Sequence, residues 1–163
     1  IIGLLKQLKS ININTAAESS LFADSETVKA ALPFIDTLFA DFKVCDDIKH
    51  REYTGVSNQI IRDNIKMVLQ SPYRDNVIIR TPLIPMHTAN AGNLSRIAKE
   101  ISGWYTDVRY ELLNYNPLAK AKYEHMDYDY CFADNPPLYT KQQMEEFYKI
   151  IKNAGIVNII TQN

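Results

Sequence analysis

The sequence predicts an α/β fold built on a parallel sheet, and three features lead there. Runs rich in β-branched and aromatic residues alternate with runs whose apolar residues recur at helical spacing. Each strand–helix unit is long enough for a right-handed crossover, so successive strands are expected to be parallel. Every strand candidate is apolar through its middle and polar at its far end, where α/β folds build their sites.

Taken in order, Leu4–Lys9 reads as an amphipathic helix. Ile11–Ala17 reads as a first strand ending in Glu18-Ser19-Ser20, and Ser25–Leu32 as a short helix stopped by Pro33. Asp36–Phe42 is an apolar second strand, followed by a short polar helix and then Thr54-Gly55-Val56-Ser57. Gly55 turns the chain there, and Ser57 can cap the next helix. Ile60, Ile61, Ile65, Val68 and Leu69 place that helix over 57–70. Asn76–Ile84 is the third strand, and Pro82 marks its end because proline removes a ladder donor. After a loop at 85–92, Asn93–Trp104 carries Leu94, Ile97, Ala98 and Ile101 on one side of a helix. Asp107–Tyr115 is the fourth strand, residues 116–139 read as irregular, and Thr140–Asn153 is the last long helix. Ile156–Ile160 is a candidate final strand.

Bulk properties narrow the function. The 163 residues suffice for a single domain, 1–163, with a real core, and 46% hydrophobic with 23% charged residues is ordinary for a globular protein. A net charge of -1 without a basic block points away from nucleic acid and from anionic membrane surfaces. No apolar run approaches the ~18 residues of a membrane span. Two distant cysteines, Cys45 and Cys131, suit a reducing cytoplasm and match no metal-ligand spacing. The chain opens Ile1-Ile2-Gly3 without Met, and its first helix starts in mid-course, so a piece of a longer protein is expected. There is no Gly-rich turn of a dinucleotide site or P-loop.

The strand ends collect the candidate site. The first offers Glu18 and Ser19, the second Asp41 and Lys43, the third Arg80, the fourth Asn114 and Asn116. Asp41 and Lys43 share a strand face with Thr37 and Phe39, because side chains alternate with period two. Charges emerging into water would look similar, but Asp41, Lys43 and Arg80 lie within apolar flanks, where lone charges are costly unless paired or used. Carboxylate, ammonium, guanidinium and amide together suit a ligand with hydroxyls, a carboxylate and an amine. His50, His87 and His125 lie in separate polar segments and read as surface residues, and Cys45 as a small loop residue. Asp127, Asp129 and the tyrosines around them read as a covering loop.

Four motifs then combine. D-F-K at Asp41, Y-T-G-V-S-N-x-x-I-x-x-N-I at Tyr53, V-I-I-R-T-P-L-I-P at Val77 and E-L-L-N-Y-N-P-L-A-x-x-K-Y at Glu111 stand in order along the chain. The sequence resembles the radical S-adenosylmethionine (SAM) activating enzymes of glycyl-radical enzymes, of which the pyruvate formate-lyase activating enzyme is the best known. The resemblance runs from about Leu4 to Gly155. It implies a partial, TIM-like barrel of the radical SAM type, with this chain supplying about four consecutive βα units from the C-terminal part of a six-unit barrel.

What the resemblance implies for the site follows residue by residue. Glu18 and Ser19 match an acidic residue and its hydroxyl neighbour that help surround a small cation beside SAM in some members. Asp41 and Lys43 match an Asp-x-Lys that contacts SAM. Arg80 matches an arginine near SAM and the substrate glycine loop, and Asn116 a position that is His or Asn. Met86-His87-Thr88-Ala89-Asn90 departs from the Gly and Asn-Asp pair usual in that loop, so it is given no role. The family's four-iron, four-sulfur cluster needs C-x-x-x-C-x-x-C, which this chain does not contain. The Gly-Gly-Glu that holds the SAM amine is also missing.

The implied chemistry is reductive cleavage of SAM on the cluster to a 5'-deoxyadenosyl radical, which takes a hydrogen from a glycine of the partner. That partner would be pyruvate formate-lyase or a relative, and the electron donor flavodoxin-like or ferredoxin-like. Lys43 is expected to take the SAM carboxylate, Asp41 and Asn116 the ribose region, and Glu18 with Ser19 the cation or carboxylate side. Arg80 is expected on the adenosyl or substrate side. No catalytic residue is assigned, no metal ligand is expected within the chain, and these residues alone are expected to be inactive. A rival reading makes Lys43 a Schiff-base lysine in an aldolase-like barrel. A second makes the chain a non-enzymatic binding or scaffold domain.

Overall fold

The computed structural model describes residues 1–127, 129–132 and 134–161, and its strands divide buried from open faces as their sequences dictate. Strand β1 spans Ala16–Ser19, β2 Thr37–Asp41, β3 Val77–Pro82, β4 Arg109–Leu113 and β5 Asn158–Ile160. In β2, Leu38 and Ala40 are buried while Thr37, Phe39 and Asp41 are half-buried; β4 likewise buries Tyr110 and Leu112. That alternation belongs to a sheet packed on one side. β3, in the middle, is buried almost throughout. All four pairings are parallel and the strand order is β1-β2-β3-β4-β5, as the alternating pattern predicted.

Seven α-helices accompany these strands within the described residues, the first ahead of β1 and the others between strands: α1 (Ile2–Ser10), α2 (Ser25–Ala31), α3 (Asp47–Thr54), α4 (Gln59–Leu69), α5 (Ala91–Trp104), α6 (Ala119–Tyr123) and α7 (Lys141–Asn153). Helices α1, α2, α4, α5 and α7 pack in that sequence, each against the next, over the face that presents Leu38, Ala40, Val77, Ile79, Tyr110 and Leu112. In α5, Leu94, Ile97, Ala98 and Ile101 are all fully buried. Each buried leucine or isoleucine there contributes about 1.5–3 kcal/mol of transfer free energy. Helices on one face of a parallel sheet give the layer order of a barrel wall, with the opposite face left for a site.

Local signals set the helix ends. Asp24, Asp46 and Asn90 accept from backbone N–H groups at the starts of α2, α3 and α5, and Thr140 with Gln143 closes a capping box on α7. Gly55, at φ 79°, ends α3 in the left-handed region. Ser57 accepts from the Gln59 N–H at 3.2 Å, although the residue flanking α4 is Asn58.

Two expectations change. Ile11–Ile13 is no strand: α1 ends at Ser10, Asn12 takes φ 57°, and only Ala16–Ser19 joins the sheet. The Ile-Asn-Ile-Asn alternation imitates a strand, but asparagine tolerates the left-handed turn that ends the helix. The irregular 116–139 stretch contains the short helix α6. Within the expected covering loop, Tyr128 lies outside the described residues.

Candidate functional site

The parallel register brings the strand-end charges onto one face. Glu18 is level with Phe39, and Asp41 with Arg80. With side chains alternating, Glu18, Phe39, Asp41 and Arg80 all point away from the helices. The Arg80 guanidinium then reaches across two strands. Its Nε and Nη2 each lie 3.1 Å from Asp41 Oδ1, and its Nη1 donates to Glu18 Oε1 at 3.1 Å. The guanidinium carbon sits 4.8 Å from the centre of the Phe39 ring, in cation–π range. Lys43, just past β2, lies 3.4 Å from Asp41 Oδ2. Glu18, Arg80, Asp41 and Lys43 therefore form one chain of alternating charge.

The members differ in freedom. The Arg80 side chain is 11% exposed and its guanidinium is occupied by two carboxylates and a ring. Its hydrogen bond and charge hold the Glu18 carboxyl below the ordinary carboxylate range. In turn Glu18 first, then Asp41, raises the Arg80 pKa against the cost of burial. The Lys43 side chain is 43% exposed, with donors to spare beyond Asp41.

Two candidates stand apart from this chain. Ser19 Oγ accepts from the Leu21 N–H at 2.9 Å, tightening the turn after β1. Asn116 Oδ1 accepts from the Leu118 N–H at 3.0 Å, and Asn116 lines a mostly apolar cleft of about 310 Å³ whose walls include Tyr115, Tyr123, Tyr130 and Phe132.

Two asparagines matter that sequence reasoning passed over. Asn93, at the start of α5, donates to the Lys43 and Thr88 carbonyls and accepts from the Cys45 N–H. Asn58 donates to the carbonyls of Val44 and Cys45. Together they fix the backbone that carries Lys43. The available signal was an amide placed where each helix turns its apolar stripe inward.

His50 corrects the surface reading. It is buried, with Nδ1 2.8 Å from the Val56 carbonyl, so a polar segment hides a hydrogen-bonded core histidine. His87 is half-buried and stacks edge-on with Tyr53 and Phe132. Burial, then Glu100, pushes the Cys45 thiol up to about 11, which suits an inert core residue. Cys131 is exposed, and the described residues contain no group of His, Cys, Asp and Glu arranged to hold a metal ion.

The charged chain offers complementary groups to SAM's amino acid and ribose hydroxyls, with Lys43 and Glu18 still open to solvent. It therefore fits SAM. The cysteines do not fit an iron–sulfur cluster: one is buried beside Glu100, the other lies after the fourth strand.

No protein-family model matches the chain. It is similar to the isethionate sulfite-lyase activating enzyme of Nitratidesulfovibrio vulgaris, 34% identical over 129 residues, or 77% of this chain and 40% of that protein. It is 30% identical to the indoleacetate decarboxylase activating enzyme of Tractidigestivibacter scatoligenes, over 90% of this chain and 46% of that one. Similarity to the 4-hydroxyphenylacetate decarboxylase activating enzyme of Clostridioides difficile is 29%, over 94% and 48%. The chain thus spans less than half the length of these curated relatives. Among solved structures, a domain of pyruvate-formate lyase-activating enzyme from Bacteroides vulgatus superposes with a TM-score of 0.71 over 99% of this chain and 89% of that one. At 21% identity that likeness establishes the fold.

Proposed function

As the chain belongs to the radical SAM activating enzymes of glycyl-radical enzymes, we propose that its strand ends form part of the SAM-facing wall of such an activase. The observation that carries this reading is the chain Glu18–Arg80–Asp41–Lys43, drawn from three adjacent strands. SAM, when bound and reductively cleaved, supplies the hydrogen-abstracting group that makes a glycyl radical on a partner enzyme.

The residues present do the positioning. Lys43 holds the SAM carboxylate with its ammonium. Asp41 accepts from a ribose hydroxyl, and the Asn116 amide nitrogen donates to the same region, its oxygen being taken up locally. Glu18 faces the cation or carboxylate side, while the Ser19 hydroxyl stays with the Leu21 N–H and shapes the turn behind it. Arg80 is the positioning residue, because its guanidinium holds Glu18 and Asp41 in place. Oriented contacts of this kind lower the entropic cost of bringing reacting groups together.

The cluster requires thiolates from outside these 163 residues, and the partner is a glycyl-radical enzyme: pyruvate formate-lyase, or an isethionate, choline or arylacetate enzyme of the kind the relatives' names specify. A flavodoxin-like or ferredoxin-like protein supplies the electron. The test is anaerobic reconstitution with iron and sulfide. The 163-residue chain should stay colourless and leave SAM intact. A protein carrying it together with the three closely spaced cysteines should turn brown, form 5'-deoxyadenosine under a strong reductant, and give a glycyl-radical signal with its partner. Iron loading and SAM cleavage by the 163 residues alone would refute the assignment.

A further inference from the structure

The chain that leaves β4 turns back on itself, and one side chain fastens the turn. Asn135 Nδ2 donates to the Pro117 carbonyl at 2.8 Å. Its Oδ1 accepts from the Tyr115 hydroxyl at 3.1 Å and from the Tyr130 hydroxyl at 2.8 Å, and the two hydroxyls also meet each other. The Pro117 carbonyl requires a donor, so the amide cannot be turned over. Tyr115 and Pro117 flank Asn116 in the sequence. Asn135 therefore grips the chain immediately before and immediately after that residue.

The grip has a firm base. Tyr115 is buried, with its ring edge-on to Phe132 at 5.9 Å between centroids. Further along, the Asn114 amide donates to the Tyr139 carbonyl at 2.9 Å and accepts from the Tyr139 N–H at 3.0 Å, so the returning segment is tied at a second point. Asn116 itself is exposed. Its Oδ1 accepts from the Leu118 N–H at 3.0 Å and its carbonyl from the Ala119 N–H at 3.1 Å, while its Nδ2 has no hydrogen-bond partner among the described residues. An exposed side chain on a turn is only as well placed as the backbone that carries it, and small misplacements of a binding group are costly.

We propose that Asn135 is a positioning residue for SAM binding: by fastening Tyr115 and Pro117 it holds the Asn116 amide nitrogen where the ribose is met. The inference rests on the role given to Asn116 above and adds a residue that acts only through it.

Two measurements test it. In the 15N-labelled 163-residue chain, with neither SAM nor cluster, Asn135→Ala should speed hydrogen exchange of the Leu118 and Ala119 N–H groups, the two that Asn116 holds, about fivefold or more, and leave α5 unchanged. In a protein that also carries the cluster cysteines, the same change should weaken SAM affinity about fivefold by equilibrium titration, as the loss of one hydrogen bond would. Placed on Asn116→Ala, it should add nothing, because nothing is left to position. A general loosening of the segment would weaken SAM equally in both backgrounds. That result, or unchanged exchange at Leu118 and Ala119, would overturn the inference. If Asn116→Ala binds SAM as tightly as wild type, the ribose contact fails and this inference fails with it. If Asn116→Ala is weakened and Asn135→Ala is not, the contact stands and this inference alone fails.

Discussion

Arg80 stands level with Asp41 across the β2–β3 pairing, and two of its guanidinium nitrogens converge on one Asp41 oxygen at 3.1 Å. The other Asp41 oxygen is thereby left toward Lys43. One cross-strand neighbour thus connects the stability of the sheet to the charge presented at its rim.

Arg80→Ala should destabilise the fold by about 2 kcal/mol, because it leaves the mostly buried Asp41 carboxylate without its hydrogen-bonded partner. Arg80→Lys should recover part of the loss, since an ammonium keeps the charge but cannot bridge Asp41 and Glu18 as a fork does. Urea midpoints at neutral pH measure both. Equal midpoints for wild type and Arg80→Ala would remove the structural role given to this arginine.

Acid should loosen the α3–α4 junction. Asp47 accepts from the Ser57 hydroxyl at 2.6 Å, the Arg51 Nε at 2.8 Å and the Asn58 N–H at 2.9 Å, and these bonds, Ser57 foremost, hold its carboxyl far below the ordinary value. A carboxyl depressed in the folded state stabilises fully above its unfolded pKa of 3.8, and that contribution is lost as pH falls toward the folded value. Asp47→Asn should therefore lower the urea midpoint at neutral pH, and its deficit against wild type should begin to shrink below about pH 4 and go on shrinking as pH falls toward the folded value. Parallel stability curves across that range would contradict the assignment.

Met86 bears on the loop after β3. It has φ 64° and is 79% exposed, in a turn held by Thr88 Oγ1, which donates to the Pro82 carbonyl and accepts from the Ile84 N–H. A left-handed conformation costs a residue with a Cβ about 1–2 kcal/mol. Glycine avoids that cost but adds unfolded-state entropy of about 0.5–1 kcal/mol. Met86→Gly should come out more stable by about 0.5 kcal/mol, read as a small rise in thermal midpoint. A lower midpoint would mean that the exposed side chain makes compensating contacts.

These residues also mark what the sequence made legible. β-branched runs such as Val77-Ile78-Ile79 located the sheet, and Pro82 marked a strand end, because both act through local backbone chemistry. The sharing of one strand face by Thr37, Phe39 and Asp41 followed from period two, whereas the pairing of Asp41 with Arg80 needed the β2–β3 register. The contact of Arg80 with Glu18 did not follow either, because it depends on a register set by two crossovers and on a guanidinium laid over Phe39. His50 and Asn58 were obscure for a related reason. Polar residues read as exposed until the backbone groups that satisfy them are known, and here those groups are the carbonyls of Val56, Val44 and Cys45.

Lys43 gives the sharpest separation between fold and proposed function. Its ammonium is 43% exposed and 3.4 Å from Asp41, and ion pairs of that kind contribute about 0–1 kcal/mol. Its backbone is fixed by Asn93 through the Lys43 carbonyl, a bond that truncation of the side chain does not touch. Lys43→Ala should therefore move the urea midpoint of the 163-residue chain little. In a protein that also carries the cluster cysteines, the same change removes a charge-assisted bond to the SAM carboxylate, worth about 1.5–3 kcal/mol, or roughly 10- to 150-fold in SAM affinity. Iron content should stay the same, because the lysine is no cluster ligand. Arg80→Ala should instead weaken folding and SAM binding together. If Lys43→Ala binds SAM as tightly as wild type in the cluster-loaded protein, the carboxylate contact lies elsewhere and the wall proposed here has been drawn around the wrong cation.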